Sequence, residues 1–245
     1  MPKKLNSASR LLHIFEQANS LPDAIQTLEA WTKLLSIDEG NPHKRVLIVG
    51  DQIQAMYREL DLIAAGMESA DFSKTLYENV IDKVRHAISP MSFPGTWNQT
   101  KQYFGPDVLT SFAYCSEILP DEEALISDED INEIRAKLAD LKASLEDATI
   151  PHRLRKLIEH HIELINTALI EYPISGAKAF REAGRTAIGE IIEAREAIAP
   201  ARATPAVSKL NATWEKINKA ADIALKTEKI AQLGQRAWEV IGNML

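Results

Sequence analysis

Apolar residues recur along this chain at steps of three and four, the spacing that gathers them on one face of an α-helix. The pattern is fullest between residues 204 and 245. There Val207, Leu210, Trp214, Ile217, Ala221 and Ala224 are followed by Ile230, Leu233, Ala237, Val240 and Met244. Thr204 before Pro205 predicts a helix start, with a side-chain oxygen for the orphan amides and then a ring suited to the first turn. The spacing slips between Ala224 and Ile230, so the rod bends near Thr227 or restarts there with Thr227 as a new cap. Such a block is either the organising rod of a helical core or an amphipathic helix that seeks another surface.

The same periodicity predicts helices through the rest of the chain. Leu11, Leu12, Ile14, Phe15 and Ala18 place one over residues 7–18. Ser20 with Asp23 reads as the capped start of a second, carrying Ile25, Leu28, Trp31, Leu34 and Leu35 inward. A third begins at Pro42 and holds Val46, Gly50, Ile53, Tyr57, Leu60, Ala64 and Met67. Its opening, residues 44–51, mimics the first strand of a receiver or nucleotide-binding fold, with Asp51 as an acidic ligand. The helical stripe runs straight through it, however. No alternation of strand and helix follows, and a lone Gly50 is no phosphate loop. A fourth helix is expected over residues 71–88, with Phe72, Leu76, Val80, Val84 and Ile88 inward.

Residues 89–106 are the one long irregular stretch, holding Met91, Phe93, Trp97, Tyr103 and Phe104. Rich in aromatics and poor in charge, it reads as a packed cover over the core rather than a ligand lid. A short buried helix with Phe112 and Cys115 follows over 106–119. The acidic run from Pro120 to Asp130 marks a domain boundary. It lacks the glycine and ligand spacing of a calcium loop, and is explained by negative charge at a helix N-terminus capped by Ser127. Beyond it, Ile131, Ile134, Leu138, Leu141 and Leu145 form a seam of coiled-coil type. The next helix carries Leu154, Leu157, Ile158, His161, Ile165, Ala168 and Tyr172. A turn over 172–176 precedes a helix to about residue 199 with Phe180, Ala187, Ile188, Ile191 and Ile192. Its glycines at 184 and 189 each cost about 1 kcal/mol against alanine, which suggests a closely crossing neighbour.

The fold class expected is all-α: a helical bundle of about 9–10 helices, with long antiparallel coiled-coil-like helices in the C-terminal half. Residues 1–120 form an N-terminal helical subdomain, and 121–245 a domain resembling a four-helix bundle. Ten glycines in 245 residues fit that class. A net charge of −7 argues against general nucleic-acid binding. The single Cys115 leaves no internal disulfide and suits a reducing, cytoplasmic setting. Arg10, His13 and Glu16 interrupt the only leader-like stretch, and no segment approaches the roughly 18 apolar residues of a membrane span.

Candidate chemistry is sparse. Glu159, His160, His161 and Glu163 contain neither the Glu-x-x-His pairs of a di-iron bundle nor the His-Glu-x-x-His of a zinc protease. His161 reads as a seam residue and His160 as a solvated one. The basic run His152, Arg153, Arg155 and Lys156 is matched by acidic neighbours. Cys115 sits among apolar residues with no histidine nearby in sequence, so it reads as an inert core thiol. Arg181, Arg185, Arg195 and Arg202 with Glu182, Glu190, Glu193 and Glu196 form the wet face of a helix. No catalytic, cofactor-binding or metal-binding residue is assigned, and no cofactor is expected.

Three segments resemble those of all-helical bacterial proteins of uncharacterised activity. They are Ser116-Glu117-Ile118-Leu119-Pro120-Asp121-Glu122-Glu123, Glu171-Tyr172-Pro173-Ile174-Ser175-Gly176-Ala177-Lys178 and Lys226-Thr227-Glu228-Lys229-Ile230-Ala231-Gln232-Leu233-Gly234. The resemblance implies a helical fold and transfers no activity, cofactor or site.

The reading is of a non-enzymatic protein-interaction protein: an oligomeric scaffold, adaptor or immunity-type accessory. Its interface candidates are Ile230, Leu233, Ala237, Trp238, Val240, Ile241, Met244 and Leu245, which would bind a further copy or a second chain. An alternative is a membrane-surface protein acting through helix 205–245. That segment is slightly basic, with Lys209, Lys216, Lys219, Lys226, Lys229 and Arg236 against Glu215, Asp222, Glu228 and Glu239. Its mixed-sign polar face weighs against this. An enzyme with an unrecognised site is the third possibility.

Overall fold

Local signals and apolar stripes together decide where each helix begins. In the computed structural model, which describes residues 4–147, 150–194 and 204–225, ten α-helices form. They are α1 (Ser7–Ala18), α2 (Thr27–Leu34), α3 (Pro42–Ser69), α4 (Glu78–Ala87), α5 (Trp97–Lys101), α6 (Pro106–Ile118), α7 (Asp128–Ser144), α8 (His152–Ser175), α9 (Ala177–Glu193) and α10 (Pro205–Ala224). Among the described residues there is no β-strand, only two isolated bridges. The all-helical class is therefore observed.

Caps follow side-chain chemistry. Asn6 and Ser9 form a reciprocal capping box at α1, satisfying two amides that no intrahelical carbonyl can reach. Asn41 accepts from the amides of His43 and Lys44 at α3, with Pro42 in the first turn. Ser127 and Thr204 cap α7 and α10 as their sequences predict.

The chain divides into two compact units, Met1–Glu122 with Pro173–Gly176, and Glu123–Tyr172 with Ala177–Leu245. In the first, α1 packs on α6, α3 and α2. Phe15 stacks on Phe104 at 4.8 Å and meets Phe112 edge-on at 5.2 Å, while Trp31 meets Trp97 edge-on at 5.3 Å. Residues 89–106 are less irregular than expected, with a 3-10 turn at Pro90–Ser92 and then α5. Trp97 and Phe104 are fully buried there, whereas Met91 is 91% exposed, so only part of the segment covers the core.

Three expectations in this unit need correction. The second helix starts at Thr27, not near Ser20. The backbone before it is held by a distant segment: Trp97 N donates to Ile25 O, and Thr27 N to Gly95 O. The fourth helix starts at Glu78 after a 3-10 turn, and its inward face is Tyr77, Ile81, Val84 and Ile88. Leu76, expected inside, is 57% exposed. On α3 the inward stripe is Val49, Ile53, Met56, Leu60, Ile63 and Met67, one register away from Val46, which is exposed. On α4 the expected stripe starts before the helix does, and on α3 Gly50, Tyr57 and Ala64 are only half-buried beside the inward stripe.

The second unit has one continuous core, to which α7, α8, α9 and α10 contribute. Ile131, Ile134, Leu138 and Leu141 of α7 are buried, as are Leu154, Ile158, His161, Ile165 and Ala168 of α8. All six residues of the α10 stripe, from Val207 to Ala224, are buried, and α10 packs on both α7 and α9. The turn expected at 172–176 is displaced. Helix α8 runs through Pro173 to Ser175, and the chain turns at Gly176, whose φ of 66° favours a residue without a Cβ. On α9, Ile192 faces outward, although it was expected inside.

The glycine argument divides. Gly184 is buried on α9, the helix packed against α10. Gly189 is exposed, and nothing lies within 4 Å of where its Cβ would sit, so no neighbour crosses closely there. Gly189→Ala is accordingly expected to stabilise the protein by about 0.4–1 kcal/mol, mainly by restricting the unfolded chain. Urea denaturation would check this, and a loss of stability would contradict it. A close approach is found at Gly66, where an added Cβ would lie 2.5 Å from Leu119 Cδ2.

Candidate functional site

Polar side chains are buried around Arg10 in the first unit and around His161 in the second, and the end of α10 carries the exposed Ile223. In the first unit Arg10 lies inside the α1 core face. Its guanidinium reaches Glu59 Oε2 at 2.8 Å, Glu122 Oε2 at 3.0 Å and the Ile174 carbonyl at 2.8 Å. Arg10 and Glu59 side chains are each 4% exposed. One rigid fork thus satisfies two carboxylates and a carbonyl in the last turn of α8. These contacts tie α1, α3 and the last turn of α8 together as a clamp.

In the second unit His161 is completely buried on α8. Trp214 Nε1 of α10 donates to His161 Nδ1 at 2.9 Å. An indole N–H can only donate, so Nδ1 carries no proton and the neutral ring holds its proton on Nε2. Nε2 faces Glu190 Oε2 of α9 at 3.4 Å without hydrogen-bond alignment, and both atoms are buried and otherwise unpartnered. The other carboxylate oxygen of Glu190 meets His160 Nε2 at 2.9 Å. Burial, with His160 beside it, pushes the His161 imidazole down to about 4. Among the described residues no group of three or more His, Cys, Asp or Glu could hold a metal ion.

The remaining described candidates divide between exposed, buried and paired positions. Asp51 lies exposed on α3. Burial pushes the Cys115 thiol up to about 11, so at neutral pH it holds its proton and is a poor nucleophile. In the basic run, Arg155 donates to the carbonyls of Leu145 and Asp147, fastening the end of α7. In the acidic run, Asp130 pairs with Lys216 of α10 at 2.7 Å, and Lys216 also contacts Glu133. Lys216, with help from Ser127, holds the Asp130 carboxyl below its usual range. On the wet face of α9, Arg181 pairs with Asp222 of α10 at 3.2 Å, across helices rather than along one.

The eight interface candidates, Ile230, Leu233, Ala237, Trp238, Val240, Ile241, Met244 and Leu245, lie outside the described residues, as does Thr227. Next to them the described chain shows a feature that periodicity passed over. A bridge joins Glu123 to Leu225, and Ala124 N donates to Ala224 O at 2.7 Å. Leu125 and Ile223, each two residues from that bridge, are each 72% exposed. The signal for Ile223 was its position between the buried Ala221 and Ala224, off the α10 stripe. Glu123 itself is buried, and its carboxylate accepts from Ala177 N at 2.7 Å, capping α9. No helix among the described residues is long and apolar enough to cross a membrane. No protein-family model, curated protein or solved structure matches the chain.

Proposed function

We propose that the protein acts by association rather than catalysis, as a helical interaction module that binds a second copy of itself through the α10 end of its second unit. The reading takes α7 to α10 as a four-helix bundle with coiled-coil-like antiparallel pairs. Its interaction surface extends from Leu125 and Ile223 into the apolar positions between Ile230 and Leu245. The observation that carries it is the exposure of Leu125 and Ile223, each two residues from the Glu123–Leu225 bridge. Apolar side chains gathered on a surface mark a contact site more often than singly scattered ones do. Covering each removes about 1.5–3 kcal/mol worth of apolar exposure.

The Leu125→Glu, Ile223→Glu double variant tests it. Both side chains are exposed, so the fold should keep its helical circular dichroism. Self-association in sedimentation equilibrium should weaken at least about tenfold, since one lost apolar contact already exceeds 1.4 kcal/mol. Unchanged association by a folded double variant would refute the surface.

A further inference from the structure

The cluster around His161 carries an inference that is independent of the association reading, because it concerns only the interior of the second unit. We propose that His161 is an acid-released latch: neutral, it holds α10 through Trp214, and protonated, it lets α10 go and turns its charge to Glu190 on α9.

The Trp214–His161 bond at 2.9 Å requires a lone pair on Nδ1. A second proton on the ring occupies that lone pair, and two N–H groups then oppose each other across the same gap. The bond cannot survive in its present form, and one ring or its helix must shift. The opposite edge of the imidazole offers a reason for the protonated state to persist. Nε2 faces the buried, unpartnered Glu190 Oε2 at 3.4 Å, close enough for a carboxylate to serve as counterion.

Few charges face the site. From α8 there is His160, 6.4 Å away between ring centroids, which opposes a second charge. From α9 there is Glu190, shared between the two histidines. From α10 there is the uncharged Trp214, edge-on to the ring at 5.8 Å. Burial, with His160 beside it, holds the group down to about 4 from an ordinary 6.5. The sign follows. The unfolded chain takes up the proton first as pH falls, so the stabilisation is complete above 6.5 and is lost on descending towards 4.

The test follows the four tryptophan indole N–H signals of the whole chain by NMR from pH 7 to 3, with Trp214 assigned by its absence in Trp214→Phe. The His161 ring signals are followed in parallel. Protection of the Trp214 N–H, taken relative to free indole at each pH, should fall at least about tenfold with the midpoint of His161 titration. The Trp31 and Trp97 signals should keep theirs. In His161→Asn, which offers an acceptor near the Nδ1 position but does not titrate, Trp214 protection should stay level over the same range. Should that variant fail to fold, the coincidence of midpoints in the unaltered protein decides alone. The latch is refuted if His161 titrates while Trp214 protection is unchanged. It is equally refuted if Trp214 loosens at the same pH in His161→Asn, or if His161 stays neutral until the whole chain unfolds.

Discussion

Arg10→Ala is expected to destabilise the first unit by about 3–5 kcal/mol, the range for breaking a buried ion pair from one side. The cause is less the lost attraction than the carboxylate left behind. Glu59 is 3% exposed and would be stranded as a charge without its 2.8 Å partner, while Glu122 and the Ile174 carbonyl would each lose a donor. Replacing both members should cost much less than replacing Arg10 alone. In Arg10→Met, Glu59→Met the desolvation of two charges disappears, and methionine fills irregular space well. Urea denaturation of the single and double variants would read this directly. A single variant within about 1 kcal/mol of the parent, or a double variant less stable than the single, would show that the clamp is not what holds these elements.

The second large effect is expected at Trp214. Among the described residues Trp214 is the largest fully buried side chain of the second unit, and Trp214→Ala should cost about 3–5 kcal/mol. Trp214→Phe separates the polar share from the packing share. Phenylalanine keeps most of the apolar volume but leaves His161 Nδ1 without its donor in a dry interior, a penalty of about 1–3 kcal/mol at neutral pH. It should also remove the obstacle to protonating Nδ1, so the deficit of Trp214→Phe should shrink as pH falls below 6.5. Equal stabilities of Trp214→Phe and the parent at pH 7 would contradict the account of that bond.

These two residues show what the chain made readable. Periodicity with caps was enough for α7 and α10, because their apolar stripes and their Ser127 and Thr204 caps are local properties. It failed where a distant segment fixes the backbone. Residues 23–26 look like a capped helix start, yet they are held by residues 95–98. It failed again at Pro173, which the helix tolerates while Arg10 takes up the Ile174 carbonyl one residue on. The Arg10 clamp left a trace that went unused. Arg10 sits on the same face as Ser7, Leu11 and Ile14, and Glu59 sits between Met56 and Ile63 on the buried stripe of α3. Opposite charges on the apolar faces of two helices in one chain are a reason to expect a buried pair. For His161 the seam position was legible, but its two partners on two further helices were not, since no spacing rule links residues 161, 190 and 214.

The central claim, association through the end of the second unit, is tested most directly by molar mass. Multi-angle light scattering would be run on the full chain and on a chain ending at Leu225, over a hundredfold range of concentration. The account predicts a full chain whose mass rises to a multiple of 27.3 kDa, and a shortened chain that keeps its helical dichroism and stays monomeric. A full chain that remains monomeric throughout, with a shortened chain that unfolds, would contradict it and return residues 226–245 to a role within their own fold.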